Sequence, residues 1–174
     1  MKYLLIVLLM ALLPSCSMDK NTSFSYSGIF KISYPQSLLS GSTVFSADGL
    51  TLKTREGKSV SGLIISSQSD NLPTDFDMRS YPEIILGMKE YLGSDTAIRE
   101  KFANSKRVFN ETYDLSDLAV QNREGVTRYG ACKENSCLGF VVKNSFSEHV
   151  LIIYSEGFDK VTFLKMLNGS VSVK

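Results

Sequence analysis

Apolar and polar residues alternate along much of this chain, which is the pattern of half-buried β-strands. The alternation starts at Gly28, stops at Pro35, and returns both before residue 68 and after Asn104. Residues 149–155 carry apolar side chains on both faces, as expected for a central strand that is covered on both sides. The predicted strands are 28–35, 43–46, 50–55, 60–67, 107–109, 118–121, 126–132, 137–143 and 149–155.

Between these two runs of strands lies a segment whose apolar residues have the spacing of a helix. Ser80 can cap a helix and Glu83 completes a capping box. Apolar residues then recur at helical intervals up to Gly93, which suits a left-handed stop. The sequence therefore predicts helices over 82–92, over 95–102 and, near the end of the chain, over 159–167.

Strands, then helices, then a meander and a closing helix are typical of the α+β class rather than of alternating βαβ units. We predict one globular domain over residues 28–174, with an antiparallel β-sheet covered by helices on both faces. A composition of 43% hydrophobic and 21% charged residues fits such a domain and excludes a disordered or collagen-like chain.

The first fifteen residues have the order of a secretory signal, with Lys2 followed by a short apolar run and small residues. The run is too short to span a bilayer, which takes about 20 apolar residues. Its end, Leu13-Pro14-Ser15-Cys16, resembles a bacterial lipobox, although Pro14 replaces the usual small residue. The resemblance implies that residues 1–15 are removed and that Cys16 is acylated with fatty acids such as palmitate. A plain signal peptide with an incidental cysteine, or an uncleaved helix, is the alternative.

Ser17 follows the predicted lipid-bearing cysteine. In the lipoproteins that this sequence resembles, Asp at this position is the signal for retention in the inner membrane, and Ser17 does not match that signal. The expected location is therefore the cell envelope, with the protein held on the outer membrane and facing the periplasm. Residues 16–27 are polar and lack helical periodicity. We predict that they form the lipidated cysteine and a flexible tether.

Two further cysteines, Cys132 and Cys137, flank a polar segment between two predicted strands. An even pair in an oxidising compartment favours a disulfide, and facing positions of a hairpin bring Cβ atoms within its range. A metal site would need more ligands than the single histidine, His149, supplies. A redox-active pair normally has two intervening residues rather than four. The structural disulfide is the favoured interpretation, with a free or reactive pair as the alternative.

Nineteen basic residues balance eighteen acidic ones, so the chain lacks the positive field that nucleic-acid binding requires. Gly57-Lys58-Ser59 resembles the end of a P-loop, but Leu52 stands where the first glycine is needed. Hydrolase, zinc-protease and dinucleotide motifs are missing from the sequence. We therefore predict no catalytic residue, no bound metal and no cofactor.

His149, the single histidine, follows Glu148 and is the one candidate general base. No nucleophile stands beside it in the sequence, which favours a structural role. Two clusters of charged residues have two interpretations each, as a solvated face or as a docking surface. They are a basic cluster of Arg99, Lys101, Lys106 and Arg107 and an acidic cluster of Asp70, Asp75 and Asp77.

The order of elements over about residues 28–170 resembles a PsbP-like domain. The features that carry the likeness are an opening strand that ends in Tyr34-Pro35, the helix near 82–92, the three-strand meander and the C-terminal helix. The resemblance implies an α/β/α sandwich. The tryptophan that such domains often carry soon after the proline is missing, and the fold hosts unrelated functions.

These observations favour a lipid-anchored accessory module of the envelope that acts by contact with a protein or a small ligand. The membrane, through the lipid, and another envelope protein are the expected partners. An inhibitor or immunity-type lipoprotein that occludes a toxin is the alternative class. An envelope hydrolase is a further alternative, which a polar cluster around His149 would favour.

Overall fold

The computed structural model of the chain describes residues 21–46, 49–169 and 171–173. The predicted signal peptide, 1–15, and the predicted lipid-bearing Cys16 lie outside the described residues. Two antiparallel sheets and four α-helices make up the described part of the chain.

Seven strands form the large sheet, in the spatial order β3-β4-β5-β9-β8-β7-β6 with every neighbouring pair antiparallel. Strand β9 lies between β5 and β8, as its two apolar faces predicted. The strands are β3 (Thr43–Ser46), β4 (Leu50–Lys53), β5 (Ser59–Ser66), β6 (Ala119–Arg123), β7 (Val126–Lys133), β8 (Ser136–Lys143) and β9 (His149–Glu156).

A second sheet contains three strands, β1 (Asn21–Tyr26), β2 (Phe30–Pro35) and β10 (Val171–Val173), with β2 in the centre. The prediction of a flexible tether up to residue 27 is wrong for residues 21–26. These residues pair along the whole length of β2, and Tyr26 is buried against the large sheet. The polar residues of β1 concealed a strand because every second position, Thr22, Phe24 and Tyr26, turns inward to some degree.

The two faces of the large sheet have different covers. The connection from β5 to β6 contains helices α2 (Tyr81–Ile85) and α3 (Thr96–Thr112), which pack with one face. The small sheet and helix α4 (Lys160–Leu167) pack with the other face. The mixed α+β class and the large antiparallel sheet are as predicted, but strands supply much of the second cover. Helix α1 (Gln36–Leu39) is a single turn.

Opposed glycines in β7 and β8 allow α4 to approach the sheet. Gly130 and Gly139 are cross-strand partners. A Cβ atom at Gly139 would lie 2.8 Å from Leu167 Cδ1 and 3.0 Å from Phe163 Cζ, so only glycine leaves room for these side chains.

The predicted helix over 82–92 is wrong in its length, because α2 ends at Ile85. Gly87 adopts a φ of +74°, where its N–H donates to the carbonyl of Ile84 and the next N–H, of Met88, donates to the carbonyl of Glu83. This pair of hydrogen bonds is the Schellman motif, which terminates helices. Residues 88–95 leave the helix and form a loop over α3.

Helix α3 begins where the sequence predicted it, since the Asp95 side chain accepts hydrogen bonds from the N–H groups of Ala97 and Ile98. It continues to Thr112, so the strand predicted over 107–109 is wrong. Phe102 and Phe109 both join the core on this side of the sheet. Their spacing of seven residues continues the helical stripe that begins at Ile98.

A cationic groove between α2 and α3

The loop that follows α2 stands away from α3 and leaves an open groove between them, which we call the α2–α3 groove. Its volume is about 510 Å³, within the range of small-molecule and side-chain pockets. Its lining combines apolar, aromatic and charged side chains. They are Ile84, Lys89, Glu90, Tyr91, Leu92, Arg99, Phe102, Ala103 and Lys106.

The floor of the α2–α3 groove is an aromatic cluster. Phe102, almost fully buried, has its ring centroid 5.3 Å from that of Tyr91, 5.8 Å from that of Phe76 and 5.9 Å from that of Tyr81. Stacked, tilted and edge-on pairs at these distances are favourable beyond their buried area. The groove therefore has an apolar, aromatic base.

Two contacts attach the loop to its surroundings. Arg99 Nη2 donates to the carbonyl of Gly93 at 3.0 Å, and Lys89 Nζ donates to Ser80 Oγ at 3.2 Å. Two apolar side chains of this loop are largely exposed to solvent. Leu92 is 86% exposed and Met88 is 52% exposed, although the sequence predicted both on the buried face of a helix.

The predicted basic cluster divides into two parts. Lys101 Nζ lies 2.9 Å from Asp70 Oδ2, and Arg107 Nη1 lies 2.9 Å from Glu111 Oε1. Arg99 and Lys106 instead line the α2–α3 groove. The described residues place no carboxylate within ion-pair distance of either. Among the described residues, two of the four cations are thus paired with carboxylates, and Arg99 and Lys106 line the groove without such a pair.

A further cation of the groove, Lys89, was not among the residues that the sequence singled out. The Lys106 side chain lies across Gly87, where a Cβ atom would come within 2.5 Å of Lys106 Cε. Gly87 therefore both ends α2 and leaves space for the Lys106 side chain. The sequence signal that could have found the groove is Gly87 itself, because glycine favours the left-handed conformation that ends a helix. The predicted capping box is wrong, since the Ser80 side chain makes no capping hydrogen bond.

The predicted acidic cluster is not a shared site. Asp70 pairs with Lys101, whereas Asp77 accepts hydrogen bonds from Arg79 Nε and Nη2. The hydrogen bonds from Arg79 hold the pKa of Asp77 below its ordinary value, and the positive charge of Lys89 adds to the effect. Asp70 thus connects the loop between β5 and α2 to α3, whereas the Asp77–Arg79 pair lies within that loop.

His149 begins β9, and the Phe146 ring stacks on it with centroids 5.4 Å apart. Its Nδ1 atom is buried without a hydrogen-bond partner among the described residues. Ser66 is its cross-strand partner, but the Ser66 hydroxyl donates to Ser69. Within the described ranges, the Ser66 hydroxyl is therefore not aligned as a nucleophile for His149.

Cys132 and Cys137 are cross-strand partners in β7 and β8, with their sulfur atoms 2.06 Å apart. The disulfide distance that the sequence predicted is present. The strands continue to Lys133 and Ser136, so the connecting turn is shorter than expected. Closing such a small ring stabilises by about 2 kcal/mol on the chain-entropy estimate.

Gly57 and Lys58 form a turn into β5, with Gly57 at a φ of +84°. Lys58 lies 3.3 Å from Glu56 Oε2 and over the ring of Phe158, which is the turn role that the sequence favoured. Across the described ranges, no three His, Cys, Asp or Glu side chains are grouped to hold a metal ion. None of the helices in the described part is long and apolar enough to cross a membrane.

The fold and the groove together define a mixed α+β domain with a cationic, aromatic-floored cleft on one helical layer. No protein-family model matches the chain, and no curated protein matches it. The site must therefore be interpreted from its own chemistry.

Proposed function

We propose that this protein is a non-enzymatic binding module of the bacterial cell envelope that contacts a partner protein through the α2–α3 groove. The observation that carries the proposal is the exposed Leu92 beside an aromatic floor and three cations. Interfaces take most of their energy from a few aromatic and arginine anchors that meet a partner in a well-packed pocket.

The chemistry of the described residues also supports contact rather than catalysis. Lys89, Arg99 and Lys106 are cations and lie beside apolar side chains in the groove, where they can bind but have no nucleophile to activate. His149 lies on the sheet, outside the residues that line the groove. A general base needs a proton donor within hydrogen-bond reach, and the Ser66 hydroxyl is engaged with Ser69.

We further propose that Cys16 carries lipid and holds the domain on the outer membrane, facing the periplasm. The lipobox-like Leu13-Pro14-Ser15-Cys16 supports this proposal. Because β1 already begins at Asn21, only four residues would link the lipid-bearing cysteine to the folded domain. A link of that length spans at most about 18 Å even when fully extended. The start of the folded domain would then lie close to the membrane surface.

The finer description of the fold as PsbP-like is part of the same proposal. Strand β2 ending at Pro35, the meander of β7, β8 and β9, and the closing helix α4 support it. The long helix of the second layer is α3 rather than the segment 82–92.

Replacement of Cys16 by Ala is expected to release the protein from the membrane. The change removes the only thiol that the lipobox-like sequence offers for acylation, so labelling with a fatty-acid analogue is also lost. Cell fractionation and labelling measure the two effects. Unchanged labelling and membrane retention in the variant would contradict the lipoprotein proposal.

In-cell photocrosslinking tests the groove. A photoreactive amino acid at Leu92 is expected to give a discrete adduct, because this side chain is exposed at the groove. Val161, 63% exposed on α4 against the other face of the sheet, is the matched control position and should give none. The adduct should also disappear when Arg99 and Lys106 are both changed to Glu.

Two outcomes would overturn the binding proposal. They are equal adducts from positions 92 and 161, and an adduct that survives charge reversal in the groove. His149→Ala should leave the adduct unchanged. Loss of cellular function in a folded His149→Ala protein with an intact adduct would favour the hydrolase instead.

A further inference from the structure

The chemistry of the α2–α3 groove identifies its ligand class, an inference that rests on the proposed function. We infer that the groove binds an acidic peptide segment of a partner protein, with carboxylates for the cations and an apolar side chain for the aromatic floor. Each part of this ligand corresponds to a different feature of the groove.

The charges of the groove select an anion. Lys89, Arg99 and Lys106 line it, and Glu90 is its one acidic lining residue. Within the described chain, none of the three cations has a carboxylate within ion-pair distance, unlike Lys101 and Arg107 on the same stretch of helix. Hydrogen bonds between such cations and a carboxylate are stronger than neutral ones. A ligand that supplies carboxylates would complete pairs that the protein leaves open.

The apolar part of the groove favours a ligand that carries an apolar side chain next to its carboxylates. Phe102 and Ile84 are buried at the base, and Leu92 is exposed at the edge. A groove of about 510 Å³ has room for a large apolar side chain as well as its charged neighbours. Burying Leu92 against such a ligand would remove apolar surface from water, which favours binding by about 25 cal/mol per Å².

Concavity and the position of Glu90 favour a peptide over an anionic lipid surface. A continuous layer of phosphates would place negative charge against the Glu90 carboxylate and could not reach the aromatic floor. A peptide can present carboxylates to Arg99 and Lys106 and a backbone N–H to Glu90. The groove lies between a loop and a helix, which suits an extended segment rather than a plane.

The test is fluorescence anisotropy with a labelled synthetic peptide in which Phe is flanked by Asp and Glu. A second peptide has Asn and Gln in place of the acids. The protein variants are the double change Arg99→Glu with Lys106→Glu, and the milder Arg99→Gln with Lys106→Gln. Lys53→Glu, at an exposed cation on β4, is the matched control. Circular dichroism establishes that each variant is folded, and the Gln pair serves if the Glu pair is not.

We expect the acidic peptide to bind the wild-type protein and the Lys53 variant equally. The affinity of the acidic peptide should fall by about tenfold or more in either groove variant, because the charge pairs with Arg99 and Lys106 are lost. A tenfold fall corresponds to about 1.4 kcal/mol. Added salt should weaken binding because the charges are exposed. Equal binding of the amide peptide, or no effect of the groove variants, would overturn the inference.

Vesicles of phosphatidylcholine with phosphatidylglycerol form a separate arm. Groove-dependent binding to these vesicles without binding of the acidic peptide would overturn the peptide assignment in favour of a lipid surface. The result of the crosslinking experiment is independent. A position-92 adduct that charge reversal abolishes would preserve the proposed function even if the model peptide failed to bind.

Discussion

Raising the pH above 10 is expected to unfold this domain in one cooperative transition. Burial raises the pKa of six tyrosines above the ordinary value of 10.0, so each of their hydroxyls keeps its proton in the folded state. They are Tyr26, Tyr34, Tyr81, Tyr113, Tyr129 and Tyr154. These residues lie in both cores, so the effect involves the whole domain.

Neighbouring groups add to the effect of burial. Burial raises the pKa of Tyr129 to about 12, and the negative charge of Glu83, whose Oε1 accepts a hydrogen bond from the tyrosine hydroxyl at 3.3 Å, contributes. Burial also raises the pKa of Tyr34 well above 10, and the adjacent Tyr26 hydroxyl, 2.9 Å away, adds to the shift. Ionising any of these hydroxyls in place would leave a charge inside the core.

The sign follows from proton binding in the two states. Below pH 10 both states are protonated and the tyrosines contribute their full stability. Above pH 10 the unfolded chain loses protons that the folded chain retains, so the free energy of unfolding falls. The slope is about 1.4 kcal/mol per pH unit for each retained proton. The contributions of the retained protons add, whereas the whole free energy of unfolding of an ordinary domain is only about 5–15 kcal/mol.

Tyrosinate absorbance and far-ultraviolet circular dichroism, followed together through an alkaline titration, measure the transition. The two signals should change at the same pH and recover on prompt neutralisation. A gradual rise of tyrosinate absorbance near pH 10 with unchanged circular dichroism would contradict the prediction, because it would show that the hydroxyls ionise in the folded state.

Local sequence signals predicted much of the large sheet. The double-faced apolar pattern of residues 149–155 placed β9 in its centre, and the spacing of Cys132 and Cys137 placed them opposite each other in a hairpin. Arg128 shows the limit of such patterns. It occupies a strand position between Val126 and Gly130 and is only 6% exposed, with burial lowering its pKa. Periodicity assigns a face to this residue but not the packing that covers its charged side chain.

The α2–α3 groove could not be predicted because it depends on where a helix ends and on contacts distant in sequence. Gly87 and Gly93 are both plausible stops, and the hydrogen bonds to Glu83 and Ile84 decide in favour of the first. That choice moves Leu92 from a buried helical face into solvent. It also places Lys89 in the lining of the same groove as Lys106, seventeen positions later in the chain.

A pair of substitutions separates the structural and binding roles of the groove. Phe102→Ala is expected to lower the free energy of unfolding by about 3–5 kcal/mol, because it leaves a cavity beneath three aromatic rings. Leu92→Ala should change it by less than about 0.5 kcal/mol, since the side chain is 86% exposed. Urea unfolding of both variants, followed by circular dichroism, measures these values.

Binding should show a different result in the same two positions. Leu92→Ala removes the exposed apolar group that the inferred peptide covers, so its affinity for the acidic peptide should fall while its stability stays unchanged. A conservative Phe102→Leu protein, which keeps much of the buried volume, should stay folded but bind more weakly because the floor loses an aromatic ring. If Leu92→Ala instead destabilised the fold as much as Phe102→Ala, the loop of residues 88–95 would be part of the core rather than a wall of the groove.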